Sequence, residues 1–154
     1  MAVTSMVQAV DKVVEILETY RLSTLSTVAK IYQGGVDPLM AEFPCLIVKG
    51  ETETREIVRA AGNSPHSRNR EFRILIGVFS YIGDIDTAYR EASGISGEIL
   101  NILEQDANIN TNHALGYDVD YDGDIEYGTG EFGGDQTFCF GVVIPIRIKV
   151  TGRN

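Results

Sequence analysis

The stretch Asp118-Val119-Asp120-Tyr121-Asp122-Gly123-Asp124-Ile125-Glu126 has the residue types for holding a hard cation. Acids fall at positions one, three and five of an EF-hand-like loop, glycine at six and isoleucine at eight. Calcium takes about six to eight oxygens, two of them from a bidentate glutamate at position twelve. Here position twelve is Thr129, and the next acid, Glu131, comes two positions late. Asn112-His113-Ala114-Leu115-Gly116, just ahead, does not make the preceding helix. The same residues also alternate with period two. In that reading Tyr117, Val119, Tyr121, Ile125 and Tyr127 face a sheet, while Asp118, Asp120, Asp122, Asp124 and Glu126 face water. The strand reading is preferred and no metal is assigned, with calcium kept as the alternative.

Two further patterns carry chemistry on paper. Gly128-Thr129-Gly130-Glu131-Phe132-Gly133 spells the dinucleotide fingerprint. That fingerprint needs a buried strand before it and a helix N-terminus after it to hold the pyrophosphate. An acidic segment precedes this one and a strand pattern follows, so a glycine-rich turn or bulged hairpin is expected and no nucleotide cofactor. The two histidines, His66 and His113, lie in polar segments. The two cysteines, Cys45 and Cys139, sit in the apolar contexts Pro44-Cys45-Leu46 and Phe138-Cys139-Phe140. Such thiols usually behave as small core side chains. Their dispersal matches no zinc spacing, and a hydrolytic Cys–His site assembled through space ranks last. No catalytic residue is named. The remaining cluster is basic: Arg55, Arg59, Arg68 and Arg70, with His66 and Arg73 nearby. It reads either as an arm docking on an acidic surface or as a solvated loop pairing with Glu51, Glu53, Glu56 and Glu71.

The elements that must position these residues can be traced along the chain. Ser5 with Gln8 fits a capping box, and Val10, Val13, Val14 and Leu17 recur at helical spacing, predicting a helix over about 6–21. Thr24 to Gln33 is rich in strand-forming residues and predicts a strand ending at Gly34-Gly35. Cys45 to Val48 reads as a buried strand, and residues 50–70 as a long mobile loop or a hairpin arm. From Glu71, Phe72, Ile74, Ile76 and Val78 share one face, and Arg73, Leu75, Gly77, Phe79 and Tyr81 the other. That pattern predicts a central strand. Asp84 or Asp86 caps a second helix whose stripe is Ala88, Ala92, Ile95, Ile99, Ile102 and Leu103. Gly94 and Gly97 inside it predict close approach of another backbone. A last strand over about 137–150 carries Ile144, Ile146, Ile148 and Val150 against Arg147 and Lys149. Pro145 places it at a sheet edge or a bulge. The order predicts one α+β domain over 1–154: a mostly antiparallel twisted sheet with two helices on one face, plus the loop or arm.

Composition narrows the function. The chain has 154 residues, 44% of them hydrophobic and 23% charged, the profile of a globular domain. Thirteen basic and twenty-two acidic residues give a formal charge of −9, which argues against gripping nucleic acid by its phosphates. The interval between Arg90 and Arg147 holds no lysine or arginine but eleven acids. The longest nearly apolar run, Phe138 to Ile146, is broken by Gly141 and Pro145, so no bilayer span is expected. Nor does the N-terminus show a secretory pattern.

Four segments together resemble the tail terminator, or tail-completion, proteins of tailed phages, the minor tail protein U type. They are Val7 to Leu17, Glu42-Phe43-Pro44-Cys45-Leu46-Ile47-Val48, Phe72 to Tyr81 running into Asp84-Ile85-Asp86-Thr87-Ala88, and Val142 to Val150. Within them, Val78-Phe79-Ser80-Tyr81, Asp84 to Ala88 and Ile95 to Leu103 follow the family's strand, turn and helix patterns in order. The resemblance implies a virion protein of the tail or neck, assembled in the host cytoplasm, with no catalytic residue. It implies a homo-hexameric ring that ends tube polymerisation and meets the tail tube protein and the head connector. DNA passes through that ring without specific binding. An acidic wall suits such a hole because like charge denies the phosphates a grip. Asp118, Asp120, Asp122, Asp124 and Glu126 are the candidate lining, with lumen and outer surface both open, and Arg55, Arg59, Arg68 and Arg70 the candidate docking arm. A head–tail connector or a tube subunit is the nearest rival.

Overall fold

The computed structural model describes residues 5–35, 41–59, 66–105, 117–132 and 137–153. Its elements are α1 (Met6–Thr19), β1 (Lys30–Gln33), β2 (Cys45–Arg59), β3 (His66–Tyr81), α2 (Ile85–Gln105), β4 (Tyr117–Tyr121), β5 (Glu126–Phe132) and β6 (Thr137–Arg153). The strands form one six-stranded sheet ordered β1-β2-β3-β6-β4, with β5 also paired to β6. Only β1 with β2 is parallel; the other pairings are antiparallel. This is the expected α+β fold, with β3 central and both helices on one face.

That face is continuous and apolar. Leu46 and Val48 of β2, Phe72, Ile74, Ile76 and Val78 of β3, and Val142, Ile144, Ile146 and Ile148 of β6 are all but inaccessible. They meet Ala9, Val13 and Leu17 of α1 and Ala92, Ile95, Ile99 and Leu103 of α2. Burying each such aliphatic side chain contributes about 1.5–3 kcal/mol, so the period-two and period-3.6 patterns fix one another's orientation. Ser5 caps α1 by accepting the Gln8 N–H at 3.3 Å. Asp84 caps α2 by accepting from both the backbone N–H and the hydroxyl of Thr87, at 3.3 and 2.7 Å. Those bonds hold its carboxyl below the usual carboxylate range, the hydroxyl contributing most.

Several expectations need correction. Residues 20–27 are successive turns rather than strand. Leu25 N–H bonds Tyr20 O and Val28 N–H bonds Leu25 O, and the burial of Leu25 and Val28 outweighs the β-propensity of their neighbours. Pro145 does not mark an edge. β6 is interior, and Pro145 falls where pairing with β5 has ended at Val143 and pairing with β4 begins at Ile146. The missing N–H therefore costs no ladder bond with β4 or β5, and the carbonyl accepts the Asp122 N–H at 3.0 Å. Gly94 and Gly97 have nothing within 4 Å of where a Cβ would stand, so no backbone packs closely on them. Of the two readings for the glycine-rich stretch, the hairpin holds without its bulge: Gly128 and Gly130 lie within regular β5, antiparallel to β6, rather than in a turn.

Residues 50–59 and 66–70 form the arm foreseen as one alternative. β2 and β3 pair from Cys45↔Phe79 out to Arg59↔His66, with a bulge between Gly50 and Thr52, and β6 follows β3 out to Ser67↔Arg153. From Thr52 to Arg59 this ribbon is about 25 Å long. β1 pairs only with Cys45 to Val48, so the outer edge of β2 beyond Val48 has no strand partner among the described residues. Among the described residues no helix is long and apolar enough to cross a membrane.

Candidate functional site

The helix-free face of the sheet divides into an apolar and a charged half. In the apolar half, the ring of Phe79 lies across Gly77 and Gly141. A Cβ at either glycine would stand 2.6 or 3.1 Å from ring carbons of Phe79. Phe43 and Tyr81 meet alongside, ring centres 6.3 Å apart. Cys45 and Cys139 are buried at this end. Burial pushes the Cys45 thiol up to about 12, the nearby Cys139 adding to it, and burial lifts Cys139 to about 11. Thiols held protonated in this way are poor nucleophiles.

The charged half holds part of the acidic stretch. β4 sets Asp118 opposite Lys149 and Asp120 opposite Arg147. Gly123, at φ +118°, turns the chain between β4 and β5, and this turn brings Asp122 back over β3. There its carboxylate accepts from Arg73 Nε at 2.9 Å and lies 4.0 Å from Arg147. Arg73 also pairs with Glu51, and Glu71 stands 3.8 Å from both Arg147 and Lys149. Glu51, Arg73, Asp122, Arg147, Glu71 and Lys149 thus form one alternating network on the sheet surface.

The five acids therefore do not form the bare row facing water that alternation predicts, because Arg73 and Arg147 share their face. Asp124 and Glu126 are exposed, Asp120 is half-buried and Asp122 is neutralised. Of Asp118 only the backbone position is described. Val119 is buried as expected, Tyr121 and Ile125 pack against the core, and Tyr121 donates to Glu104 of α2 at 2.8 Å. Burial and that neighbouring carboxylate raise its phenol well above the ordinary value. Tyr127 shares the core-side face of Val142 but is half exposed. Among the described residues no group of three or more His, Cys, Asp or Glu is placed to hold a metal ion; His113 lies outside them.

On the arm, Arg55 stands directly opposite Arg70, and Arg68 opposite Ile57. Arg59 pairs with His66 at the end of the described ladder. Arg55 and Arg70 share the face of Phe72, and Arg55 bonds Glu53 at 2.9 Å. Two of the expected local pairs form, Arg55 with Glu53 and Arg73 with Glu51, while Glu71 stands beside Arg147 and Lys149.

One surface escaped the sequence reading. At the opposite end of the strands, Ile85 and Tyr89 of α2, Tyr127 of β5 and Phe138 of β6 are each about half exposed, between 49% and 57%. Tyr89 packs edge-on against Phe140 at 5.3 Å, Phe138 is two residues from Phe140 on the same strand face, and Tyr127 pairs with Val142. Residue type alone does not reveal such a patch, because the strand and helix that carry it have ordinary apolar patterns. Asp84 and Asp86 flank Ile85 at the start of α2, while Glu126, opposite Val143, lies on the other face of the sheet. Arg90, bound to Asp86 at 3.0 Å, is the only lysine or arginine between Arg73 and Arg147. The sheet thus ends in an arginine-bearing arm at one pole and in half-exposed aromatic side chains at the other. Compared with protein-family models and with curated proteins, the chain matches none.

Proposed function

We propose that this chain is a structural virion subunit that forms a ring, expected to be hexameric, at the head-proximal end of a phage tail tube. The ring ends tube polymerisation and joins the tail to the head connector, and DNA slides through it unbound. The observation that carries this reading is the unlikeness of the two poles, an arginine-bearing ribbon at one and half-exposed Ile85, Tyr89, Tyr127 and Phe138 at the other. A half-exposed aromatic cluster costs apolar hydration that a partner would relieve, and unlike surfaces on one subunit join head to tail, which closes into rings when the rotation allows. Exposed Asp124 and Glu126 suit a wall along which phosphates move without sticking. The calcium alternative fits less well, since Asp122, its central ligand, is already held by Arg73.

Electron microscopy and native mass measurement of the purified protein, alone and with tail tube protein, test the reading. Discrete rings that cap tube ends are expected. Long cylinders of this chain alone would make it a tube subunit, and a monomer under every condition would sink the proposal.

A further inference from the structure

The outer edge of β2 is paired over only its first few residues. β1 covers Cys45 to Val48, and the Gly34 N–H adds a last bond to the Val48 carbonyl at 2.8 Å. Past the bulge between Gly50 and Thr52 the strand runs on to Arg59, with β3 on its inner side and no strand partner among the described residues on its outer side. In an antiparallel ladder every second residue turns its N–H and C=O away from the neighbour it pairs with, so such an edge offers a row of donors and acceptors to another strand. Proline or lysine commonly blunts an edge of this kind, and Thr52 to Arg59 contains neither. Glu51 to Glu56 are all exposed.

The charges along this edge are complementary to themselves. Glu53 and Arg55 share the face of Phe72 and bond each other at 2.9 Å; Arg55 has a further partner in its own chain. A second copy of the edge, laid antiparallel about a two-fold axis perpendicular to the sheet, keeps residues of like face opposite one another. With the axis at Thr54, the two Thr54 residues meet, Thr52 meets Glu56, and Glu53 of each copy meets Arg55 of the other. The two Glu53–Arg55 pairs then lie head to tail, each intact, and opposite-charge and Thr–Thr cross-strand pairs are both favourable. The second copy's carboxylate also flanks Arg55 on the side away from Arg70, which stands directly opposite Arg55 on β3. Other centres fail: an axis at Glu53, Arg55 or Glu56 sets like charges face to face, and one at Thr52 sets Glu51 against Glu53.

We propose that the β2 edges of two copies of this chain pair antiparallel about Thr54, joining their sheets into one. The contact is isologous and independent of the ring reading: it joins single subunits in pairs and rings face to face.

Charge reversal and cross-linking test it, read by sedimentation and native mass, with circular dichroism as the check on folding. E53R and R55E each set like charges across the axis, and each is expected to weaken the pairing by about tenfold. Mixed together they restore both opposite-charge pairs, so heterodimers form more tightly than either homodimer. T54C is expected to yield a disulfide-linked dimer on air oxidation, and T52C, whose counterpart lies about 14 Å along the strands, is not. Cys45 and Cys139 are buried and do not compete. A T54C chain that does not cross-link, a mixture without heterodimers or a wild type that is monomeric at millimolar concentration overturns the contact. Rings that form while T54C stays uncross-linked overturn it and leave the ring reading standing.

Discussion

Arg73 is the side chain on which the charged half of the sheet depends. It bonds Asp122 and Glu51 at once, joining β3 to the turn after β4 and to the bulged part of β2. All three side chains are about one-third exposed, so solvent screens the pairs and their contribution stays small. Arg73→Ala and Asp122→Asn are each expected to lower the unfolding free energy by about 1 kcal/mol, with about 0.5 kcal/mol of coupling in the double mutant. Urea unfolding measures both, and fully additive losses would mean the pair contributes nothing. The two thiols offer a second test. Folding keeps Cys45 and Cys139 protonated, so their contribution to stability is whole below the unfolded thiol value of about 8.5. It is lost as pH climbs through about 11 for Cys139 and about 12 for Cys45. A thiol-specific reagent should therefore label neither cysteine in the native state at neutral pH and both in denaturant. Rapid native labelling would show that the strand ends open.

Within the elements, the same substitution should act with opposite sign at different glycines. Gly94 and Gly97 interrupt α2 with open space where a Cβ would be. Alanine there removes the backbone-entropy cost and should raise stability by up to about 1 kcal/mol each. At Gly77 a methyl group meets the Phe79 ring at 2.6 Å, so alanine must displace the ring and should destabilise by about 1–2 kcal/mol. Thermal melts of the three single mutants decide, and a stabilised Gly77→Ala would show that Phe79 does not rest on the glycines. Sequence patterning reads these elements well where burial is one-sided. The stripes of α1 and α2 and the alternation of β3 and β6 are legible because the helices cover only one sheet face. Pattern reading fails over residues 24–29, where turn hydrogen bonds and two buried side chains set the conformation that β-branched neighbours argue against. It fails at Pro145 for another reason: a proline marks an edge only if the adjoining strand is unbroken, and β4 and β5 divide at that point.

Across the whole molecule, the three long strands β2, β3 and β6 outrun the helices and leave the two poles unlike each other. Under the proposed ring reading, copies of such a subunit would join head to tail, and the turn between neighbours would decide whether the assembly closes or grows. Micrographs of the purified chain therefore report on geometry beyond any one contact. Closed rings of uniform diameter are expected, and open filaments would assign the same two surfaces to a growing tube.

The order of hydrophobic and polar residues was enough to specify two amphipathic helices, a central strand and a one-sided core, because burying an apolar stripe leaves few arrangements for its neighbours. It also placed the arginines on one segment and the acids on another. What tertiary structure alone decided was which of those charges meet. Register set Arg73 and Arg147 against Asp122, which removed it from the acidic row, and set Arg55 against Arg70 at the far end of the sheet. The return of β5 along β6 set Tyr127 opposite Val142, two residues from the Phe140 that Tyr89 packs against. Pairing across strands depends on distances in the folded sheet, and neighbours along a chain carry no record of them.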